Sequence, residues 1–365
     1  MKLSSIHLDN FRNYESLSLD FHDKLNVFIG KNAQGKTNLL ESIYCLATTK
    51  SHRTTRDKEM IRMNQDEALI SGYVENRFSE IPISLLLSKS GKRAKINHIE
   101  LAKLSQYVGA LNCVLFAPED LEIVKGAPEV RRNFIDVECG QISKIYLQSL
   151  SDYKRVLKQK NLYLKERHVD KMMVEIFNEQ LVEAALEIIN KREAFVEALN
   201  EYAKQIHSDI SNNKENLTVE YRPNIKCLEL KKEERLQFLK ETYESVIDNE
   251  IERRQCLIGP HRDDLKFYIN DMDVQTYGSQ GQQRSTALSL KLAELDVIAN
   301  EIGEYPILLL DDVLSELDEH RQAHLLTSIR NRVQTFVTTT SISDINHQIM
   351  DEMNLYTIEE GTVKK

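Results

Sequence analysis

The chain of 365 residues has no long uninterrupted apolar run, and its first seven residues form no apolar segment of the kind that opens a secretory signal. These absences argue against a membrane protein or a membrane partner and favour a cytoplasmic protein. Cysteine is scarce too: the five cysteines lie far apart, without Cys-x-x-Cys spacing. This scattered arrangement argues against a zinc site or a disulfide framework and predicts reduced, mostly buried thiols.

Basic residues do not predominate either. Lysine and arginine number 48 against 57 acids, and this net charge of −9 argues against a protein that binds DNA over its whole surface. Residues 143–211 contain neither glycine nor proline and are rich in Leu, Glu, Lys and Ile. We therefore predict two or three long helices there and a further helix over 231–254.

A phosphate-binding motif begins at Gly30. Residues 30–37 fit the Walker A pattern at every position, after a strand-like run at 25–29 and before a helical pattern. Glycines let the backbone curl so that successive N–H groups point at an anion, and the helix N-terminus adds its positive end. We expect Lys36 to reach the β- and γ-phosphates of ATP and the Thr37 hydroxyl to bind Mg²⁺. The predicted nucleotide-binding residues are Gly30, Lys31, Asn32, Ala33, Gln34, Gly35, Lys36 and Thr37.

A second motif lies near the other end of the chain. The apolar run Ile307–Leu310 ends in Asp311 and Asp312, as a Walker B strand does, and residues 315–318 resemble a D-loop. Carboxylates often end strands, so the assignment depends on the pairing with Walker A. We predict that Asp311 holds Mg²⁺ through water and that Asp312 is the catalytic residue that acts on the attacking water. Many ABC ATPases carry glutamate there, and the shorter Asp312 is compatible with slow hydrolysis.

Between these motifs, residues 279–285 form a polar, glycine-containing loop that opens a helix. Ser279 is a good helix N-cap, but a capped helix does not need the Gln-Gly-Gln-Gln that follows. We predict an ABC signature loop whose Ser279, Gly281 and Gln282 bind the γ-phosphate held by a second subunit. This arrangement implies an ATP-dependent head-to-tail homodimer.

The order of these elements predicts the α/β class: a P-loop ABC-type ATPase head with an inserted helical arm domain. We place the N-terminal part of the head at 1–110, the mostly helical arm at 111–255 and the C-terminal part of the head at 256–365. A hairpin is expected at 81–98 and a strand at 264–269.

The chain resembles the bacterial RecF family, ABC-type ATPases related to SMC heads. Further matching stretches, in the family's order and spanning nearly the whole chain, are 8–14, 116–121, 128–136 and 259–264. The resemblance implies an ATPase of recombinational repair and replication restart that binds gapped, single- and double-stranded DNA. It also implies RecR- and RecO-type partners, help in loading recombinase, and a link to the SOS response.

Three basic clusters are candidates for DNA contact. The first lies in 151–171, which contains seven basic and three acidic residues, the second in 53–62 and the third in 89–95. Each alone is more often a solvated face. Together in such a head they suggest a groove that meets the DNA backbone with little sequence preference.

Some positions stay open at this stage. His261 with Asp263 and Asp264 could suggest a metal site, but we favour a structural or nucleotide-adjacent role. ABC ATPases usually place a switch histidine at the position of Thr338–Thr340, so these threonines are the candidates for the γ-phosphate sensor. No Q-loop glutamine is evident near 116–121. The alternatives to a DNA-binding ATPase are a transporter's nucleotide-binding subunit and a nucleotide-gated protein scaffold that binds no DNA.

Overall fold

The computed structural model describes residues 1–330, 332–340 and 353–364. The chain divides into two compact units. The first unit comprises Met1–Leu121, Ile206–Asn213 and Ala287–Lys365, and the second comprises Glu122–Gln205 and Lys214–Thr286. These boundaries differ from the predicted ones at 110/111 and 255/256. Strand pairing explains both differences: strand Cys113–Phe116 pairs with Ile307–Leu310 of the first unit, and strand Asp264–Ile269 pairs with Leu217–Arg222 of the second.

A six-stranded, mainly parallel sheet forms one layer of the first unit. Its strands, in spatial order, are β15 (Thr362–Lys364), β14 (Met353–Glu359), β3 (Leu25–Ile29), β13 (Thr335–Thr339), β12 (Ile307–Asp311) and β8 (Cys113–Phe116). All neighbours run parallel except β14 and β15. Strands β8, β12 and β13 are buried at every residue, as expected for parallel strands that are covered on both faces.

A six-stranded antiparallel sheet forms the other layer. Its order is β2 (Tyr14–Asp20), β1 (Lys2–Phe11), β4 (Glu67–Glu75), β5 (Glu80–Ser88), β6 (Gly91–Ile96) and β7 (Ile99–Glu100). Buried and exposed positions alternate along β4, so one face of this sheet contributes to the core and the other faces solvent. The predicted hairpin at 81–98 is confirmed as β5 and β6.

Helix α1 (Lys36–Thr48) is buried along nearly its whole length. Its apolar side chains belong to one core cluster together with residues from both sheets of this unit. The helix is thus covered on most of its sides by the rest of the first unit. The other helices of the first unit are α2 (Leu104–Tyr107), the end of α6 (Lys171–Ile210), most of α10 (Gln280–Ile302) and α11 (Glu319–Ile329).

The second unit is mostly helical. Its helices are α3 (Leu121–Lys125), α4 (Pro128–Ile142), α5 (Lys144–Tyr163), most of α6, α7 (Lys232–Ser245), α8 (Ile247–Arg253), α9 (Val274–Tyr277) and the start of α10. A small antiparallel sheet has the order β11 (Met272–Asp273), β10 (Asp264–Ile269) and β9 (Leu217–Arg222). Of the two or three long helices predicted in 143–211, the structure has two, α5 and α6. Helix α6, with its 40 residues, is about 60 Å long.

Two details of the second unit differ from or refine the sequence predictions. The single helix predicted over 231–254 is instead two helices, α7 and α8, with a break at Val246. The predicted strand at 264–269 is confirmed as β10. Among the helices of the described ranges, none combines the length and apolar character that a membrane span needs.

A fully buried ion pair joins α5 to α8. The Lys160 ammonium lies 2.5 Å from a Glu250 carboxylate oxygen, and both side chains are 0% exposed. Asn178 accepts a second hydrogen bond from Lys160 at 2.5 Å, and the other Glu250 oxygen accepts the Leu257 N–H at 2.7 Å. Removal of one partner would leave a buried charge uncompensated, which is far more costly than the loss of a surface pair.

We therefore expect Glu250→Ala to lower the free energy of unfolding by about 3–5 kcal/mol. The control is Asp248→Ala on the same helix, whose partner Lys171 is exposed, and which should cost at most about 1 kcal/mol. Urea unfolding followed by circular dichroism gives both values. Equal losses in the two variants would contradict this view of the buried pair.

Candidate nucleotide-binding site

The Walker A residues form the connection between β3 and α1. The loop backbone has positive φ at two residues: Ala33 at +66°, where the side chain strains the backbone, and Gly35 at +116°, which glycine adopts readily. Gly35 also lies against a neighbouring turn, where an added Cβ would come within 2.7 Å of the Asn13 amide nitrogen. Helix α1 has no side-chain cap at its N-terminus. The loop and the first turn of α1 therefore offer backbone N–H groups to an anion, as the sequence motif requires.

Lys36 folds back over this loop. Its ammonium donates hydrogen bonds to the carbonyl oxygens of Gly30 at 2.6 Å and Lys31 at 2.9 Å. Burial lowers the pKa of Lys36, and the carboxylates of Asp312 and Asp311 oppose that shift. The charge is held in place by carbonyl oxygens, which phosphate oxygens can replace.

The two Walker motifs meet at Asp311. The Thr37 hydroxyl donates to Asp311 Oδ1 at 3.0 Å, although the two residues are 274 positions apart. Strand order explains the meeting, because β3 and β12 both pair with β13 in parallel, so their carboxyl ends lie at the same edge of the sheet. The pair brings together hydroxyl and carboxylate oxygens, which are the ligands that Mg²⁺ prefers.

Thr338 contributes a contact that the sequence suggested only in outline. Its hydroxyl donates to Asp311 Oδ1 at 2.7 Å and accepts the backbone N–H of Asp312 at 2.9 Å. Asp312 has a left-handed backbone with φ +54°, and its side chain is exposed. Thr338 therefore orients the Asp311 carboxylate and holds the backbone of Asp312. The D-loop residue Ser315 adds a bond to the Asp312 carbonyl at 2.8 Å.

An ion-pair network supports helix α1 behind the loop. Arg12 donates two hydrogen bonds, at 2.8 and 2.6 Å, to the carboxylate of Glu41, which is fully buried. Arg53 lies within 3.4 Å of the same carboxylate and donates to Asn38 at 2.8 Å. Sequence reasoning placed Arg12 in a family stretch without giving it a role. Glu41 interrupts the apolar residues Leu40 and Ile43 of α1, and an acid within this helical apolar pattern was the signal that could have revealed its pairing with Arg12.

The signature residues lie in the second unit, at the start of α10. Ser279 and Gln282 form a reciprocal cap: Ser279 Oγ accepts the Gln282 N–H at 3.2 Å, and Gln282 Oε1 accepts the Ser279 N–H at 2.9 Å. Ser279 is exposed and Gly281 is partly exposed. The capping role is thus present, and the γ-phosphate contact in a second subunit stays a prediction.

His261, Asp263 and Asp264 form no metal site within the described residues. The Asp263 carboxylate binds the buried Arg192 guanidinium at 2.8 Å, and Asp264 binds Arg131. His261 accepts or donates a hydrogen bond of 2.7 Å with the Tyr153 hydroxyl, and burial lowers its pKa to about 4. These residues hold the second unit together.

The basic clusters are partly neutralised. In 151–171, Lys160 is buried and cannot reach DNA, which corrects its inclusion in that cluster. Lys154, Arg155 and Lys171 of the same cluster have acidic partners, and the remaining members, exposed and without an ion pair among the described residues, are Lys158, Lys165 and Arg167. In the other clusters, Arg62 pairs with Glu15 and Lys92 with Asp57.

The amino-acid sequence is similar to those of known DNA replication and repair proteins of one family. A family model described as the RecF/RecN/SMC N terminal domain matches residues 2–364. The chain is 55% identical over 370 residues to the DNA replication and repair protein RecF of Staphylococcus carnosus and 52% identical over 370 residues to that of Staphylococcus aureus strain JH9, with 100% of each chain covered.

The chain is also similar in structure to solved members of this group. A solved structure of the recombination mediator protein RecF with ATPrS, from the RecFOR pathway, superposes with a TM-score of 0.92 at 34% identity and covers 100% of this chain and 98% of the other. An SMC head bound to a domain of ScpA, at 15% identity and a TM-score of 0.56 over 100% of this chain and 96% of that one, shares the fold. The predicted ABC-type head fold and the resemblance to this family are both confirmed.

We expect Thr338→Val to weaken Mg²⁺-dependent nucleotide binding about tenfold, because Asp311 loses a hydrogen bond worth about 1–2 kcal/mol. Thr338→Ser keeps the hydroxyl and should bind like wild type. The measurement is the rise in melting temperature caused by ATP, with Mg²⁺ and with EDTA. A valine variant stabilised as strongly as the serine variant would remove Thr338 from the site.

Proposed function

The chain belongs to the RecF family of the RecF/RecN/SMC group, and on this premise we propose that it is an ATP-dependent DNA-binding protein of recombinational repair and replication. The observation that carries the proposal is the contact between Thr37 and Asp311 beside the Walker A loop. This contact joins a phosphate loop to a carboxylate at the edge of one parallel sheet. The proposal agrees with the relatives, which are named for DNA replication and repair, and with the solved relative bound to ATP.

The nucleotide chemistry follows from the residues in place. Lys36 would exchange its loop carbonyls for the β- and γ-phosphates, and Thr37 and Asp311 would hold Mg²⁺ directly or through water. The metal ion would supply charge neutralisation at the phosphates. Asp312, exposed and held by Thr338 through its backbone, would orient the attacking water, and its short side chain supports slow hydrolysis.

ATP would act as a switch through dimerisation. Ser279, Gly281 and Gln282 lie at the N-terminus of a 23-residue helix, whose positive end favours a phosphate. In a head-to-tail homodimer this end would face the γ-phosphate bound to the other subunit. Closure would then depend on ATP, and slow hydrolysis would reset it.

DNA contact would use the basic residues that have no acidic partner among the described residues. Within the three clusters these are Lys158, Lys165 and Arg167 in the second unit, with Lys58, Arg93 and Lys95 in the first. They suit contact with a phosphate backbone rather than sequence readout. Membership in the family leads us to propose further that the protein binds gapped DNA, has RecR- and RecO-type partners and helps to load recombinase. We propose on the same ground that it is linked to the SOS response and is located in the cytoplasm.

The two Walker B carboxylates should behave differently. Asp312→Asn should slow phosphate release at least about a hundredfold while ATP binding persists, so the protein should stay closed and hold DNA longer. Asp311→Asn should weaken Mg-ATP binding and fail to retain DNA. DNA dissociation at saturating ATP, measured beside phosphate release, tests both, and Lys36→Arg serves as the control without hydrolysis.

Two results would count against the proposal. If Asp312→Asn blocks hydrolysis yet releases DNA as fast as wild type, hydrolysis is not the reset step. If wild type binds ATP but neither gapped nor duplex DNA with ATP, ADP or a non-hydrolysable analogue, the nucleotide-gated scaffold is the better description.

The signature loop can be tested separately. Ser279→Arg places a bulky side chain at the proposed contact with the partner, so ATP-dependent dimers should disappear while each monomer still binds ATP. Ser245→Arg, at the exposed end of α7, is the matched control. Light scattering with a non-hydrolysable analogue gives the mass. Unchanged dimers in the Ser279 variant would reduce this residue to a helix cap.

A further inference from the structure

The turn between β14 and β15 contacts the outer side of the Walker A loop. The backbone N–H of Glu360 donates to Gln34 Oε1 at 2.7 Å, and the N–H of Gly361 donates to the Gln34 carbonyl at 3.1 Å. One turn near the end of the chain therefore binds both the side-chain and the main-chain oxygen of a loop residue more than 300 positions earlier.

The geometry of this turn explains the two free donors. Glu359 pairs with Thr362, so Glu360 and Gly361 form a two-residue hairpin loop, and both have positive φ, +47° and +76°. This is the type I′ arrangement, in which the N–H groups of both loop residues have no acceptor inside the hairpin. Acceptors outside the hairpin satisfy them here, and Gln34 supplies both.

The hairpin approaches the loop at two points. Strand β14 pairs in parallel with β3, with Thr357 opposite Ile29, so the residues after each of them run side by side. An added Cβ on Gly30 would lie 2.4 Å from the Ile358 carbonyl oxygen, which shows how closely the two backbones approach. The hairpin thus touches the loop at its first residue and again at Gln34.

Gln34 occupies a part of the loop whose backbone conformation is unusual. It lies between Ala33 and Gly35, both with positive φ. The left-handed backbone of an alanine costs about 1 kcal/mol or more of conformational free energy, so contacts with neighbouring residues must hold it in place. Asn13 also donates to the Gln34 carbonyl, at 3.3 Å. The inward curl of the loop N–H groups depends on this backbone shape.

We propose that the β14–β15 turn is a part of the nucleotide site and that Gln34 is a positioning residue, through which the C-terminal hairpin sets the shape of the Walker A loop and so its affinity for nucleotide. The inference rests on the proposed ATP site. If it holds, a change that displaces Glu360 and Gly361 from Gln34 also lowers the affinity for nucleotide.

Two substitutions test the contact from its two sides. Gln34→Met keeps the length of the side chain and removes the acceptor. Gly361→Ala strains the turn, since its φ is +76° and the new Cβ would lie 3.1 Å from the Asn13 carbonyl oxygen. The matched control is Gly91→Ala in the β5–β6 hairpin, which has φ +137° and no atom within 4 Å of the new Cβ.

Calorimetric titration of the full chain with ATP and with ADP gives the affinities, and thermal unfolding without nucleotide gives the stabilities. We expect Gln34→Met and Gly361→Ala to bind both nucleotides about tenfold more weakly, the scale of one lost hydrogen bond. Gly91→Ala should bind like wild type. In steady state, KM for ATP should rise while kcat stays unchanged, because Lys36, Asp311 and Asp312 are untouched.

Wild-type affinity in Gln34→Met would overturn the proposal. So would weak binding matched by a melting temperature well below that of Gly91→Ala, since the contact would then be structural only. Lys36→Ala separates this inference from the site assignment. If it binds ATP as well as wild type, the nucleotide site itself is wrong; if it loses ATP while Gln34→Met does not, only the role of the hairpin is wrong.

Discussion

The burial of helix α1 is the constraint on which the site depends. Its first turn carries Lys36 and Thr37, and its remaining residues are packed in the core of the first unit. Because a close-packed core leaves little freedom for translation or rotation, the first turn keeps a fixed position relative to the sheet. The buried Glu41, bound by Arg12, fixes the helix further, since any rotation would leave a carboxylate unpaired in the core.

The parallel sheet converts this fixed helix into a site. Strands β3, β13 and β12 end at one edge, so the phosphate loop, Thr338 and Asp311 meet there although they are distant in sequence. The hydroxyls of Thr37 and Thr338 orient the Asp311 carboxylate, whereas the side chain of the neighbouring Asp312 is exposed. Two adjacent residues of the same type thus have different surroundings, which is the physical basis for giving them different roles.

Much of the site could be predicted because its chemistry is local. A phosphate loop needs glycine at particular positions and a helix directly after it, and a Walker B strand needs an apolar run before its carboxylates, so both appear as short patterns. Helices α5 and α6 and strand β10 were evident for the same reason. The break at Val246 was not, because no glycine or proline marks it, and the burial of Lys160 was not, because its partner Glu250 lies 90 residues away.

The sequence alone therefore determined the class of fold and the family, and it predicted which residues bind phosphate and which carboxylates act, since each depends on neighbouring residues and their order. Only the tertiary structure decided which distant groups support them: Thr338 on Asp311, Arg12 on Glu41, and the turn at Glu360 on Gln34. Such contacts arise from strand order and from the packing of a buried helix. Strand order and packing are properties of the folded chain, and no short pattern of residues encodes them.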